Sequence, residues 1–155
     1  MSKLSSIQPR KTHFDVSNVG SLWNGGDSVM TRFFDALSVH FPDGERFFIQ
    51  SVRNYQDDIE DPKLRQDVRD FIRQEAQHGI VHDKFNEVMA QQGVSVDKII
   101  SNIQSNLQSI QKYMPKKFQL AFTAALEHFT ATLGEGILEN EEVFRHADPV
   151  MRALF

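Results

Sequence analysis

The sequence predicts an all-α protein, folded as a helical bundle. Apolar residues recur three and four positions apart over long stretches, and no stretch of any length alternates apolar and polar as a half-buried strand would. Asp61-Pro62 and Asp148-Pro149 are helix start signals, an N-cap acid followed by proline at the first helical position. Apolar residues make up 40% of the 155, and the 13 phenylalanines give an unusually aromatic core for one domain.

Residues 1–26 read as an irregular leader anchored by Phe14 and Trp23, and residues 27–155 as the helical domain. Asn24-Gly25-Gly26 forms a turn and Asp27 an N-cap. A short helix follows, with Val29, Met30, Phe33, Phe34 and Leu37 on one side. Phe41-Pro42-Asp43-Gly44 is expected to break it, and a second helix to run from about Gly44 to Asp58. The helix opened by Asp61-Pro62 is long and ends near Gly93, a C-cap glycine. Val96 to Tyr113 is helical in pattern, with Ile99, Ile103, Leu107 and Ile110 spaced by three or four. Pro115 restarts the chain into a helix reaching about Leu133, which Gly134 and Gly136 bend or end. A further short helix is expected around Asn140–His146. After Asp148-Pro149 only Val150 to Phe155 remain, under two turns and too short for a stable helix by itself. The expectation is a bundle lacking its last long helix, in a chain truncated at the C-terminus.

Charge and composition remove several function classes. A net charge of −4 argues against binding nucleic acid by phosphate neutralisation. With no cysteine, disulfides, iron–sulfur clusters and thiolate zinc sites are excluded. A metal would be held by Asp, Glu, His or water, which suits iron, manganese or zinc. No apolar run approaches transmembrane length, and Met1 to Arg10 lacks the apolar core of a signal peptide. The expected location is cytoplasmic.

The chemistry lies on the long helix. At 100° per residue, Leu64, Val68, Phe71, Glu75, His78, His82 and Met89 share one face, opposite Arg69, Arg73, Gln77 and Lys84. An ionised carboxylate in an apolar stripe is costly unless paired or metal-bound. Glu75-Ala76-Gln77-His78 is a Glu-x-x-His motif, the i, i+3 spacing that carboxylate-bridged di-metal bundles use. Alone it is common, and a histidine on an apolar face is more often a hydrogen-bonded core residue. Glu45 shares a face with Phe48, Ile49 and Val52; it is equally well read as a first-turn acid favoured by the helix dipole. Glu127 sits on a helix apolar nearly all round, as a central buried helix would be, flanked by Thr123, Ala124, Thr130 and Ala131. Those small neighbours leave room for an ion, although an acid buried against an arginine fits as well. His128 projects about a quarter turn away. The di-metal recipe wants a Glu from each of two helices and Glu-x-x-His from each of two others. Glu45, Glu75, His78 and Glu127 supply three of those four contributions. The second Glu-x-x-His is expected on a helix after Asp148-Pro149. This is a ferritin-like arrangement.

The sequence also resembles the bacterial family of predicted metal-dependent hydrolases. The resemblance runs through Ala36-Leu37-Ser38, Phe41-Pro42-Asp43-Gly44-Glu45-Arg46-Phe47-Phe48, Ser51-Val52-Arg53, Gln74-Glu75-Ala76-Gln77-His78 and Leu126-Glu127-His128-Phe129-Thr130-Ala131. It implies a ferritin-like helical fold with a metal site in which Glu45, Glu75, His78 and Glu127 are ligands. His82 and His128 match too, with roles less defined. Members of the family generally extend into a further helix rich in His and Glu.

Three functions follow as expectations. The first is a metal-dependent hydrolase with a carboxylate/histidine di-metal site. The second is a di-iron oxidase or oxygenase, since carboxylate-rich bundle sites suit iron or manganese, with zinc as a further option. The third is a non-enzymatic bundle that binds metal or partners, with Glu75 and His78 as an internally satisfied polar network. No cysteine or recognisable serine nucleophile is present, so a metal would have to carry the chemistry. The expected partner is a small-molecule substrate, with apolar ones suited to the phenylalanine-rich faces. Apolar surface left bare on an incomplete bundle would favour a homo-oligomer.

Overall fold

A computed structural model describes residues 7–155. Among them are five α-helices and no strand: α1 Ser28–Arg53, α2 Pro62–Gln91, α3 Val96–Tyr113, α4 Lys116–Leu138 and α5 Pro149–Leu154. A 3-10 turn, Gln56–Asp58, joins α1 to α2. Among the described residues no helix is long and apolar enough to cross a membrane.

The start signals act as read. Asp27 Oδ1 accepts from the amides of Val29 and Met30 at 2.9 and 3.0 Å. Asp61 and Asp148 cap α2 and α5 in the same way, each ahead of a proline. Gly93, at φ +87°, takes the left-handed conformation just past the end of α2.

Three boundaries differ from the sequence reading. Phe41-Pro42-Asp43-Gly44 does not break the chain: α1 is one helix of 26 residues with Pro42 inside it. Pro42 has no N–H to give to the carbonyl of Ser38, four positions back. The Asn86 side chain of α2 gives its own, Nδ2–H to Ser38 O at 3.2 Å, so no buried carbonyl is orphaned. The helix around Gly134 and Gly136 also continues, to Leu138. No helix forms over residues 140–146, of which 141–146 are turns.

α1 and α2 pack most extensively, with α3 and α4 laid against α1. The core holds Phe34 and Val39 from α1, Val81, Phe85 and Met89 from α2, and Met151 and Leu154 from α5. Val29 and Phe33, expected on the packed side, are exposed; Phe34 is buried as expected, and Thr31, Asp35 and Ser38 are buried with it. Trp23 anchors the leader as expected. Its ring stacks on Phe155 at 5.7 Å and its Nε1–H donates to Asp35 Oδ1 at 2.9 Å. Its carbonyl accepts from the Asp148 amide at 2.8 Å, which ties the leader to the start of α5.

α4 is not the central buried helix its composition suggested. Only Gln119 and Thr123 of it are buried, while Phe129 and Leu138 are 61% and 67% exposed. Thr123 joins it to α1 through a 2.7 Å hydroxyl contact with Ser51. Much of its remaining apolar surface faces a cavity of about 690 Å³ bounded by all five helices.

Candidate metal centre

Glu45, Glu75 and His78 meet at the wall of that cavity, each offering a ligand atom within 4.8 Å of the others. Because α1 is unbroken, Glu45 lies deep within a helix rather than in a first turn, so the dipole explanation for it disappears. It is 3% exposed, and no arginine reaches it. Its Oε1 stands 2.5 Å from His78 Nδ1 in an ion-pair contact that lacks hydrogen-bond alignment. Both Glu45 oxygens are therefore buried without a hydrogen-bond partner, as is Oε1 of Glu127.

A buried hydrogen-bond chain fixes which nitrogen of His78 faces Glu45. Asn86 must turn Nδ2 to the Ser38 carbonyl, which can only accept. Its Oδ1 then faces Ser38 Oγ at 2.9 Å, so the hydroxyl donates there. Having spent its one proton, Ser38 Oγ accepts from Nδ1–H of His82 at 2.9 Å. His82 is held neutral, its pKa driven well below the ordinary value by burial and then by the charge on His78. Its Nε2 is consequently an acceptor, and His78 Nε2–H donates to it at 3.0 Å. What His78 turns toward the Glu45 carboxylate is Nδ1, which carries a lone pair whenever the ring is neutral. A neutral His78 would bring that nitrogen to within 2.5 Å of a carboxylate oxygen, a close approach of two electron-rich atoms that a proton or a cation at the site relieves.

The titration of the cluster agrees. Burial, then the charges of Glu127 and Glu45, push the Glu75 carboxyl up to about 8. Burial also raises Glu45 and Glu127. For His78, burial works downward, but contact with Glu45 and the charges of Glu75 and Glu127 outweigh it and raise the pKa. Three carboxyl groups crowded around one imidazole hold protons that a cation would displace.

Gly79 completes the setting. A Cβ there would lie 2.6 Å from Glu45 Oε2. Only glycine lets the carboxylate rest against α2.

The sequence reading is thus met unevenly. Glu45, Glu75 and His78 converge, and Glu127 lines the same cavity just outside that cluster. His82 stands behind His78, both of its nitrogens engaged. His128 is exposed and does not line the cavity. Ser38, Gly79 and Asn86 were not singled out. Yet His78, His82 and Asn86 follow one another at four-residue intervals, a polar line inside an apolar stripe.

A family model described as "Predicted metal-dependent hydrolase" matches residues 8–155. The chain belongs to this family. No curated protein and no solved structure matches it. The metal that the description of a predicted metal-dependent hydrolase implies fits the residues present. Buried carboxylate oxygens without partners, an imidazole nitrogen among them and a glycine cradle together suit a cation site.

Gly79→Ala offers a test that separates ligand placement from folding. The carboxylate is the movable end of a side chain, and alanine is about 1 kcal/mol better than glycine inside a helix. We expect the metal-free variant to melt no lower than wild type by circular dichroism, and its metal affinity by calorimetry to fall at least tenfold. Unchanged affinity would show that Glu45 is not held where a ligand must be.

Proposed function

We propose that this protein is a metal-dependent hydrolase whose cation is held by Glu45, Glu75 and His78, with Glu127 as a fourth ligand. The observation that carries the reading is the pairing of the unpartnered, buried Glu45 carboxylate with His78 Nδ1 at 2.5 Å. Ligands drawn inward from three helices support a ferritin-like di-metal bundle. Within these 155 residues there is one Glu-x-x-His, so the second half of a di-metal site has no counterpart here. The oxygen-rich donor set favours iron or manganese over zinc, which is also what favours oxidase or oxygenase chemistry as a second reading.

When bound, the cation would lower the pKa of a water and polarise the scissile group. The protein's own part is to bind, orient and accept protons. Glu75 would have to give up its proton for a cation to bind, and its carboxylate could take one back as bonds break. His78 is oriented through His82, Ser38 and Asn86. There is no cysteine, and the one hydroxyl residue on the cavity wall, Thr130, donates its proton to backbone carbonyls of its own helix, Leu126 and Glu127, rather than to a base.

Bound metal is the direct test. Protein stripped with chelator and reloaded separately with iron(II), manganese(II) and zinc should retain at least one equivalent after desalting, by elemental analysis. Glu75→Gln and His78→Ala should each lose it. Wild-type protein that retains none of the three refutes the centre. Oxygen uptake by the iron form would favour the oxidase reading over hydrolysis.

A further inference from the structure

We infer that the cavity beside the Glu45–Glu75–His78 cluster is an acyl-chain pocket, and that the substrate is a neutral long-chain ester. The inference rests on the hydrolase reading for the reaction but not for the pocket. All the acidic groups lining the cavity, Glu45, Glu75 and Glu127, lie together toward the end marked by Phe48 and Phe122. From there the cavity runs between α1 and α4, which are antiparallel: Ser51 meets Thr123, and six residues back along α1 Glu45 comes within electrostatic reach of Glu127, four residues on along α4. The arm is walled by Phe41, Leu37 and Phe34 on one side and by Leu133, Gly134 and Ile137 on the other. Glu127 to Ile137 is about 15 Å along a helix axis. That is the length of an extended chain of roughly a dozen carbons. A volume of about 690 Å³ lies in the range of small-molecule sites, with apolar walls and a few convergent polar groups.

The head group follows from charge. No lysine or arginine lines the cavity. His40, the one imidazole there outside the His78–His82 pair, is tied by Nδ1 to the Ala36 carbonyl at 2.6 Å. Three carboxylates outweigh a single divalent cation by one charge and no lysine or arginine adds to it, so a phosphate, sulfate or free carboxylate would meet net negative charge, and phosphoesters and nucleotides are disfavoured. A neutral carbonyl at the acidic end, with its alkyl chain along the arm, satisfies both halves. Hydrolysis of such an ester consumes one water. The water oxygen joins the carbonyl carbon, the acyl C–O bond breaks and the departing alcohol takes a proton. No oxidant or reductant is required.

Two glycines of α4 make the pocket testable without threatening the fold. A Cβ at either Gly134 or Gly136 would meet nothing within 4 Å, and any other helix former is better there than glycine. Gly134 lines the cavity and Gly136 does not. Gly134→Phe should fill the arm, and Gly136→Phe is its control. Trp23, the only tryptophan, stacks on Phe155 of the cavity wall and reports occupancy by fluorescence.

The full chain, stripped of metal, is titrated with fatty acid methyl esters of six to fourteen carbons. Affinity should rise about fourfold per methylene and level off near twelve. Laurate should bind at least tenfold more weakly than methyl laurate. Gly134→Phe should move the plateau to shorter chains; Gly136→Phe should leave it in place. Absent binding, affinity independent of chain length, or laurate bound as tightly as its ester would overturn the pocket, and the metal centre would stand. Ester binding in a protein that takes up no metal would overturn the metal centre, and with it the assignment of the ester as substrate.

Discussion

Metal-free protein should lose stability as the pH rises through neutrality toward about 8, and bound metal should reverse the trend. The sign follows from Glu75. In the unfolded chain its carboxyl releases a proton near the ordinary value of 4.5, whereas in the folded protein it holds the proton to about 8. Between those values the folded state binds more protons, so stability falls as pH rises. Glu45 and Glu127, raised by burial, act in the same direction. His78, raised chiefly by Glu45 against its burial, adds a stabilising proton that is lost as pH climbs through its folded pKa. His82 acts oppositely. Burial, then His78, keeps it neutral, so below about 6.5 the unfolded chain gains a proton that the folded protein refuses. The melting temperature in chelator should therefore peak on the acid side of neutrality and decline on both arms. Glu75→Gln should make the alkaline arm shallower. Cation binding requires the carboxylates deprotonated, so the rise in melting temperature on adding metal should grow with pH. An alkaline arm that is flat in wild type, or unaltered by Glu75→Gln, contradicts the account.

Local features were readable in the sequence; features that depend on a distant partner were not. The Asp-Pro helix starts and the Glu75–His78 spacing are settled within four residues, and they hold. Pro42 looked like a break because proline removes a helical hydrogen bond. Whether it breaks the helix depends on Asn86, which lies on α2 and takes the freed carbonyl. That one misreading also misplaced Glu45, which an interrupted helix would put in a first turn and a continuous one buries mid-helix. α4 failed differently. A helix apolar on all sides is the same in sequence whether it is enclosed by protein or lines a cavity, and this one lines a cavity. Gly79 carries no sequence signal, because its role is set by where the Glu45 carboxylate arrives.

The strongest coupling should run between Asn86 and Pro42. Asn86→Leu removes the donor to Ser38 O and the acceptor of the Ser38 hydroxyl. Pro42 has no N–H with which to recover that carbonyl, and each buried group left unpaired costs about 1–3 kcal/mol. A loss of roughly 2–5 kcal/mol is expected from urea unfolding. The freed hydroxyl can then donate to His82 Nδ1, which moves the His82 proton to Nε2. His78 must answer with a lone pair at its own Nε2, and its remaining proton shifts to Nδ1, against Glu45. The nitrogen a cation needs is then blocked, and affinity should fall about 10–100-fold, the effect typical of groups that orient a ligand. Pro42→Ala separates the two consequences. It returns an N–H to the Ser38 carbonyl and leaves the hydroxyl and the imidazoles as they were. In the double variant, stability should recover by more than Pro42→Ala adds in the wild-type background, giving a coupling of about 1–2 kcal/mol. Metal affinity should stay as low as in Asn86→Leu alone. Affinity restored along with stability would mean that Asn86 acts only by packing α1 against α2. Affinity untouched in the single variant would mean that the His78 tautomer is set by something other than this chain.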